Sequence, residues 1–312
     1  MSIQEKEVSV EFRLNQFSCQ WPLASEESWS IGIYQGTSPF ALKPVETIEN
    51  PVITRRDITD INASFVADPF IVFEKGKYYM FLEIKNIDTE KGDIGLATSD
   101  DGKNWVYQHV ILEESYHLSY SYVFRHEGIY YMIPETLGAE AVRLYKAVDF
   151  PNKWKYVQDI LKGTHADPSV FFHNGLWWMF TSPKPYEHNT LHLYFAETLT
   201  GTWKAHPQNP LIDNDASGAR PAGRPIFYDG KWIRLAQDCS KYYGRQLKAF
   251  QINTLTPSLY QETELENSPL LTCSGKGWNG KGMHHMDALL CEDGTWLACV
   301  DGNYLNKGDS YD

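Results

Sequence analysis

Asp68, Glu83, Glu135, Asp167, Gln237 and Asp301 are scattered along the chain but fall at matching distances from a series of turn glycines. Carboxyl groups brought together in this way are the usual apparatus of general acid–base chemistry. Asp68 lies eight residues before Gly76 and Glu83 seven after it, so a two-residue turn at Lys75-Gly76 makes them cross-strand partners. The same arithmetic pairs Tyr120 with Glu135, Asp167 with Ser182, Ala222 with Gln237 and Met286 with Asp301, and a shift of one or two residues brings in Arg224, His285 or Asp287. Polar groups in strands otherwise built of Phe, Tyr, Val and Met are costly to bury alone, so a solvated pocket lined by them is expected. A plainer reading stays open: the Asp-Pro and Glu positions could serve only to tie inner strands to neighbouring backbone amides.

The elements that must position these residues are hairpins. The runs Ala67–Glu83, Ser119–Glu135 and Ala166–Ser182 each place two apolar, β-branched or aromatic strands around a turn ending in Gly76, Gly128 or Gly175, and fainter copies surround Gly230 and Gly294. Trp105, Trp154 and Trp203 follow the first three hairpins at intervals of 49 residues. A period near 50 with strand alternation is the mark of propeller blades. The fold class is therefore all-β, a five-bladed β-propeller. The fifth hairpin ends near Tyr304 with little chain left, whereas residues 29–53 resemble the outer strands of the third blade, so N-terminal strands are expected to close the last blade by pairing with the C-terminal hairpin. Residues 1–28 are read as an N-terminal strap and 29–312 as one propeller domain.

Net charge is −12, which disfavours nucleic acid and anionic membranes as partners, since both demand clustered Lys and Arg. No apolar run has the length of a membrane span. The five cysteines, Cys19, Cys239, Cys273, Cys291 and Cys299, show no metal-type pairing and follow no leader-like segment, so a cytoplasmic location with reduced thiols is expected.

The Ala-Asp-Pro openings at Asp68 and Asp167, the aromatic hairpins and Asp101-Gly-Lys-Asn-Trp105 together resemble the five-bladed propellers of glycoside hydrolase family 43 and its relatives. More specifically, Tyr131-Met-Ile-Pro-Glu-Thr136, Phe150-Pro-Asn-Lys-Trp154, Arg220-Pro-Ala-Gly-Arg224 and Ala236-Gln-Asp-Cys-Ser240 are similar to the N-terminal domain of plant glucosamine inositolphosphorylceramide transferases and its stand-alone microbial relatives. The hydrolase resemblance implies an Asp on the first blade as general base, an Asp on the third that tunes the acid, and a Glu on the fourth as general acid. Asp68 and Asp167 match the first two. The fourth blade offers Gly223-Arg224-Pro225 and Gln237-Asp238 with no Glu, which leaves Glu135 on the second blade as the candidate acid.

The resulting expectation is a glycosidase-like enzyme, hydrolysing or transferring, that acts on a small glycoside or glycoconjugate with Asp68, Glu135 and Asp167 as catalytic residues. Glu83, Tyr120, Arg224, Gln237, His285, Asp287 and Asp301 would bind substrate. A non-catalytic sugar-binding or accessory module is the alternative. No cofactor is required and no metal ligand is assigned, but the resemblance allows a structural calcium at the axis, for which Glu83, Glu135 and Asp301 with His284 or His285 are the candidate ligands.

Overall fold

Four of the hairpins turn through two residues that both have positive φ: Lys75 and Gly76 (51° and 80°), Glu127 and Gly128 (49° and 79°), Asn174 and Gly175 (49° and 77°), Asp229 and Gly230 (47° and 72°). Turns of this hand match the right-handed twist of the strands they join. A computed structural model describes residues 28–304; residues 1–27 and 305–312, which include nearly all of the expected strap and Cys19, lie outside the described residues. Apart from three single-turn 3-10 segments, all regular structure among the described residues is strand.

The chain enters through β1 (Trp29–Gly36) and β2 (Lys43–Pro44). It then lays down blade I as β3 (Ala63–Glu74), β4 (Lys77–Asn86), β5 (Gly92–Ser99) and β6 (Val106–Leu112). Blade II is β7 (Ser119–His126), β8 (Ile129–Glu135), β9 (Ala141–Asp149) and β10 (Lys153–Lys162); blade III is β11 (Ala166–His173), β12 (Leu176–Ser182), β13 (His192–Ala196) and β14 (Lys204–Ala205). Blade IV is β15 (Ile226–Tyr228), β16 (Lys231–Asp238), β17 (Gln246–Leu255) and β18 (Tyr260–Glu264), with β19 (Leu271–Thr272) also pairing with β17. Blade V begins with β20 (Met286–Leu290) and β21 (Trp296–Asn303) and is completed by β1 and β2. The register runs from Trp29 opposite Asn303 to Gly36 opposite Trp296, with Ile31 bridging to Ile53 on the outside. The expected closure by residues 29–53 is thus the observed one. Its likeness to blade III extends to side chains: Asn50 Oδ1 accepts from the Ile33 amide at 2.8 Å as Asn209 Oδ1 accepts from the Leu193 amide at 2.8 Å.

Apolar side chains fill each gap between successive blades. Phe81, Leu96, Met132 and Tyr145 meet between blades I and II, and Tyr122, Ile133, Val170 and Met179 between II and III. Phe171, Trp178, Ile252 and Tyr260 meet between III and IV, and Leu235, Leu247, Met286 and Val300 between IV and V. Ile31 and Ile33 of β1 pack with Ile71, Met80 and Leu82 and so seal blade V against blade I. The periodic tryptophans do the same job in each copy. The indole N–H of Trp105, Trp154 and Trp203 donates to the carbonyls of Gly102, Pro151 and Leu199, three or four residues back, at 3.0, 2.8 and 3.1 Å.

Ile33 is fully buried at the closing seam. Ile33→Ala is expected to lower stability by about 2–5 kcal/mol in urea unfolding, because the surrounding strands cannot collapse onto the lost methyl groups. Val106→Ala, at a residue that is 64% exposed, should stay within about 0.5 kcal/mol of the parent.

Candidate active site

The pairing arithmetic fails by one residue at the start of three inner strands, and the failure is informative. Ala67 rather than Asp68 stands opposite Glu83, Ser119 rather than Tyr120 opposite Glu135, and Ala166 rather than Asp167 opposite Ser182. In each blade a bulge follows, and the extra residue takes a left-handed backbone: Asp68 at φ 50°, Tyr120 at 47°, Asp167 at 52°. Such conformations cost roughly 1–3 kcal/mol at a non-glycine residue and persist where surrounding bonds enforce them. In blade IV, Pro221 bridges to Ala236 and the Gln237 amide donates to the Arg220 carbonyl, so Arg220 rather than Ala222 stands beside Gln237, and in blade V, Met286 pairs with Val300, so that His285 falls beside Asp301.

The enforcing bonds come from the neighbouring blade. The amide of Asp68 donates to Asp301 Oδ2 at 3.2 Å, and the amide of Asp167 donates to Glu135 Oε2 at 3.2 Å. Asp301 also accepts from the amides of His284 (3.1 Å) and His285 (3.0 Å) and from His284 Nδ1 (2.8 Å). Burial alone would raise the Asp301 carboxyl, but His284, with His285 and the Asp68 amide, together outweigh it and the pKa is lowered. His284 moves the other way: against the pull of burial, Asp301 and Asp68 raise it to about 9. Asp68 is 6% exposed, and burial pushes its carboxyl well above the usual range although His284 opposes the shift.

Glu135 sits in a second group. Burial, then the neighbouring Asp167 carboxylate, raise its pKa to about 7, with Arg220 pulling the other way. Arg220 was not among the residues expected at the site, yet it organises this corner. Its Nε donates to Asp167 Oδ2 at 2.6 Å, and its Nη2 to Asp167 Oδ1 at 3.3 Å and Glu135 Oε2 at 3.4 Å. Its Nη1 reaches the Pro185 carbonyl (2.9 Å) and His188 Nδ1 (2.8 Å), and its guanidinium lies 5.3 Å from the Tyr243 ring centre. Gln237 occupies the fourth-blade position as a clamp: its Nε2 donates to Asp167 Oδ2 at 3.2 Å and to the Pro221 carbonyl at 3.1 Å.

The other expected residues are distributed around this centre. Tyr120 is fully buried, its hydroxyl bonded to Ser169 Oγ at 2.6 Å and accepting from the Gly223 amide at 2.8 Å, so it acts as a brick between blades. Glu83 pairs with His117 Nε2 at 3.1 Å, and the Gly92 amide donates to Nδ1 of that ring at 2.8 Å. Arg224 and Asp287 are not brought to the acids. They pair with each other at 2.8 Å further along the axis, where Asp287 accepts from the Ile71 amide and Arg224 lies 4.9 Å from the Tyr122 ring centre. Trp29, 4.1 Å from His284 between ring centres, and Tyr243, 5.2 Å from it, cover the imidazole. Two surface cavities of about 320 and 640 Å³ lie elsewhere, lined around Tyr78 and Cys291 and around Tyr34 and Trp278.

A family model described as "Glucosamine inositolphosphorylceramide transferase 1, N-terminal" matches residues 19–303. The chain belongs to this family. Glucosamine inositolphosphorylceramide transferase 1 of Arabidopsis thaliana is 36% identical over 308 residues, covering 92% of this chain and 40% of the relative. The protein of the same name from Oryza sativa subsp. japonica is 36% identical over 306 residues, covering 91% and 41%. The chain thus spans about two fifths of the length of these relatives. Among solved structures, the β-1,2-mannobiose phosphorylase of Listeria innocua superposes with a TM-score of 0.62 at 15% identity over 86% of this chain and 96% of its own. The catalytic domain of the GH62 α-L-arabinofuranosidase of Coprinopsis cinerea gives 0.62 at 14% identity over 93% and 94%. These likenesses establish a shared fold with the family's propeller unit. No helix among the described residues is long and apolar enough to cross a membrane.

The axial calcium suggested by the hydrolase resemblance does not suit these donors. Asp301 is filled by four protein donors, Glu83 and Glu135 are engaged with His117 and with Arg220 and the Asp167 amide, and the remaining inward atoms are mostly imidazole nitrogens. Calcium takes six to eight oxygens.

The raised Glu135 carboxyl also sets a stability signature. Between its ordinary value near 4.5 and about 7 the folded chain holds a proton that the unfolded chain has released, so this group's contribution to stability is lost as pH rises through that window. Glu135→Gln is expected to gain on the parent by up to roughly 3 kcal/mol from the lower to the upper end of that range, read from urea unfolding at several pH values.

Proposed function

We propose that this family propeller is a glycosidase-like enzyme acting on a glycoside or glycoconjugate, with Glu135 as general acid and Asp68 as general base. The observation that supports it most directly is Glu135 itself, a buried carboxyl raised to about 7 beside Asp167, which Arg220 and Gln237 hold in place. An acid poised near neutrality can give its proton to a leaving oxygen as the glycosidic bond breaks, while Asp68 takes the proton of the attacking water or acceptor hydroxyl. Burial and, after it, like-charge repulsion from Asp167 keep the acid protonated. Neighbouring carboxylates also favour the positive charge that develops on the sugar ring. In this scheme Arg220 and Gln237 position Asp167 and do not touch substrate.

The relatives' shared name points to glucosamine or inositol glycosides as the first substrates to try, with either water or a second hydroxyl as acceptor. The four described cysteines are all free, in keeping with a cytoplasmic or other reducing setting. A second reading, a sugar-binding module without catalysis, is favoured by one observation: on the fourth blade it is the amide of Gln237, not a carboxylic acid, that meets Asp167.

Turnover of aryl glycosides and inositol glycosides, followed by release or transfer of the sugar, separates the two. Catalysis should be lost by 10²–10⁴-fold in Glu135→Gln and in Asp68→Asn. Because the acid must be protonated, kcat/KM should fall as pH rises through about 7, and that alkaline limb should vanish in Glu135→Gln. Saturable sugar binding that survives both substitutions, with no product from the native protein, would establish the binding module instead.

A further inference from the structure

Two loops beside Arg220 carry polar groups that the acid–base scheme does not use. His188 lies in residues 183–191, between β12 and β13, and Tyr243 in residues 239–245, between β16 and β17. Their rings are 5.0 Å apart between centres. His188 Nδ1 is 2.8 Å from Arg220 Nη1, and a guanidinium can only donate, so Nδ1 accepts and the ring carries its hydrogen on Nε2. Burial, and after it Arg220, lower the His188 pKa to about 4, which keeps the imidazole neutral. Among the described residues, neither His188 Nε2 nor the Tyr243 hydroxyl makes a hydrogen bond, yet neither is one of the buried atoms left unpaired. Both residues are half-buried, so both groups meet solvent at the axial end of the propeller.

The two side chains are held from behind. Arg220 donates to the Pro185 carbonyl at 2.9 Å as well as to His188, so the residue that holds Asp167 and Glu135 also holds this loop. His188 has a left-handed backbone, with φ 56°, and strain of this kind gathers at binding sites. The Tyr243 ring centre lies 5.3 Å from the Arg220 guanidinium, 5.2 Å from the His284 ring and 6.4 Å from the Trp29 ring. Gly244, at φ 68°, runs so close to Trp29 that a Cβ there would come within 2.7 Å of the indole. With its ring engaged on these sides, Tyr243 has its hydroxyl left over. Burial raises the pKa of that hydroxyl well above the usual value against the pull of Arg220, and Asp68 and Asp167 add to the rise, so it stands in the field of both candidate catalytic aspartates.

A ligand group that meets both side chains must accept from His188 Nε2–H, and it can exchange a hydrogen bond in either direction with the tyrosine hydroxyl. A neutral hydroxyl does both. An ammonium offers no lone pair to Nε2–H and is repelled by the guanidinium behind the ring, while an acidic group would approach Asp167. We propose that His188 and Tyr243 form a subsite for a neutral hydroxyl of a sugar or cyclitol ring, one guanidinium away from Glu135. In an amino-sugar glycoside it is then a hydroxyl and not the amine that enters here. The proposal rests on the sugar reading given above and not on its proton transfers.

The test is to titrate the purified chain by calorimetry and saturation-transfer magnetic resonance with myo-inositol, methyl β-D-glucoside, methyl β-D-glucosaminide and glucose 6-phosphate, then with monodeoxy analogues of the neutral compound that binds. Tyr243→Phe keeps the ring over Arg220 and removes only the hydroxyl. His188→Asn keeps an acceptor near the place of Nδ1, removes Nε2–H and tolerates the left-handed backbone. Each should weaken binding of the neutral compound by about tenfold. In the native chain one monodeoxy analogue should bind about tenfold more weakly than its parent, and in Tyr243→Phe or His188→Asn that ratio should fall towards one, a coupling that a purely structural role would not produce. Native-like binding in both variants, folded by circular dichroism, would overturn the subsite and leave the sugar reading standing, as would uptake of the amine or the phosphate compound without either neutral one. A folded native chain that binds none of the four would overturn the subsite together with the sugar reading. Loss of turnover in Glu135→Gln with binding intact would bear on the acid–base scheme only.

Discussion

The carboxylate of Asp301 is the constraint on which the axial end of the propeller depends. It accepts the amide at the start of blade I, two amides of its own blade and the ring of His284, and so fixes where blade I begins relative to blade V. A carboxylate can accept about four hydrogen bonds, and here all come from the protein. With no capacity left over, Asp301 serves as scaffold, and Asp68 beside it projects a carboxyl oxygen that has no hydrogen bond but lies 3.6 Å from the rings of His284 and His285. The left-handed backbone at Asp68 is the local cost of that projection.

The same device recurs with different chemistry between blades II and III. Glu135 accepts the amide of Asp167, which has the same strained backbone as Asp68, but Glu135 is only partly committed, and the corner is balanced by Arg220 rather than by an imidazole. Two equivalent seams of one repeat have thus been given two electrostatic characters, a histidine-centred one and an arginine-centred one. At the Arg220 corner burial and, next to it, the Asp167 carboxylate outweigh Arg220 and His117, and so keep a proton on Glu135 to near neutrality.

The blades were legible because their information is local: two-residue turns ending in Gly76, Gly128 and Gly175, the alternation on either side, and a tryptophan every 49 residues. The closing strands were legible because Asn50-Pro51 repeats the setting of Asn209-Pro210. The site was legible as a set of blade positions but not as contacts. A bulge inserts one residue without disturbing the alternation further along, so Asp68, Tyr120 and Asp167 were paired one position out of register. Arg220 lies four residues from Arg224 in the same segment. Only the turn of the chain before β15 decides that Arg220 meets Asp167 while Arg224 runs on to Asp287. The pairing of His284 with Asp301 lies within the fifth hairpin, two residues from the expected register, whereas the approach of His285 to Asp68 joins blades V and I, which no spacing rule connects.

The closure of blade V has a mechanical consequence. β1 and β21 run antiparallel, and the described chain begins and ends side by side, with the Tyr304 amide donating to the Ser28 carbonyl at 3.1 Å beside the Trp29–Asn303 pair. Tension applied at these two points does not shear the ladder as a whole; it peels the strands apart one bond at a time from that end. The first side chain carried away is Trp29, whose ring lies over His284. Pulling on the two ends would therefore uncover the axial imidazole while the other four blades still stood intact, which makes the seam a force-sensitive cover over His284.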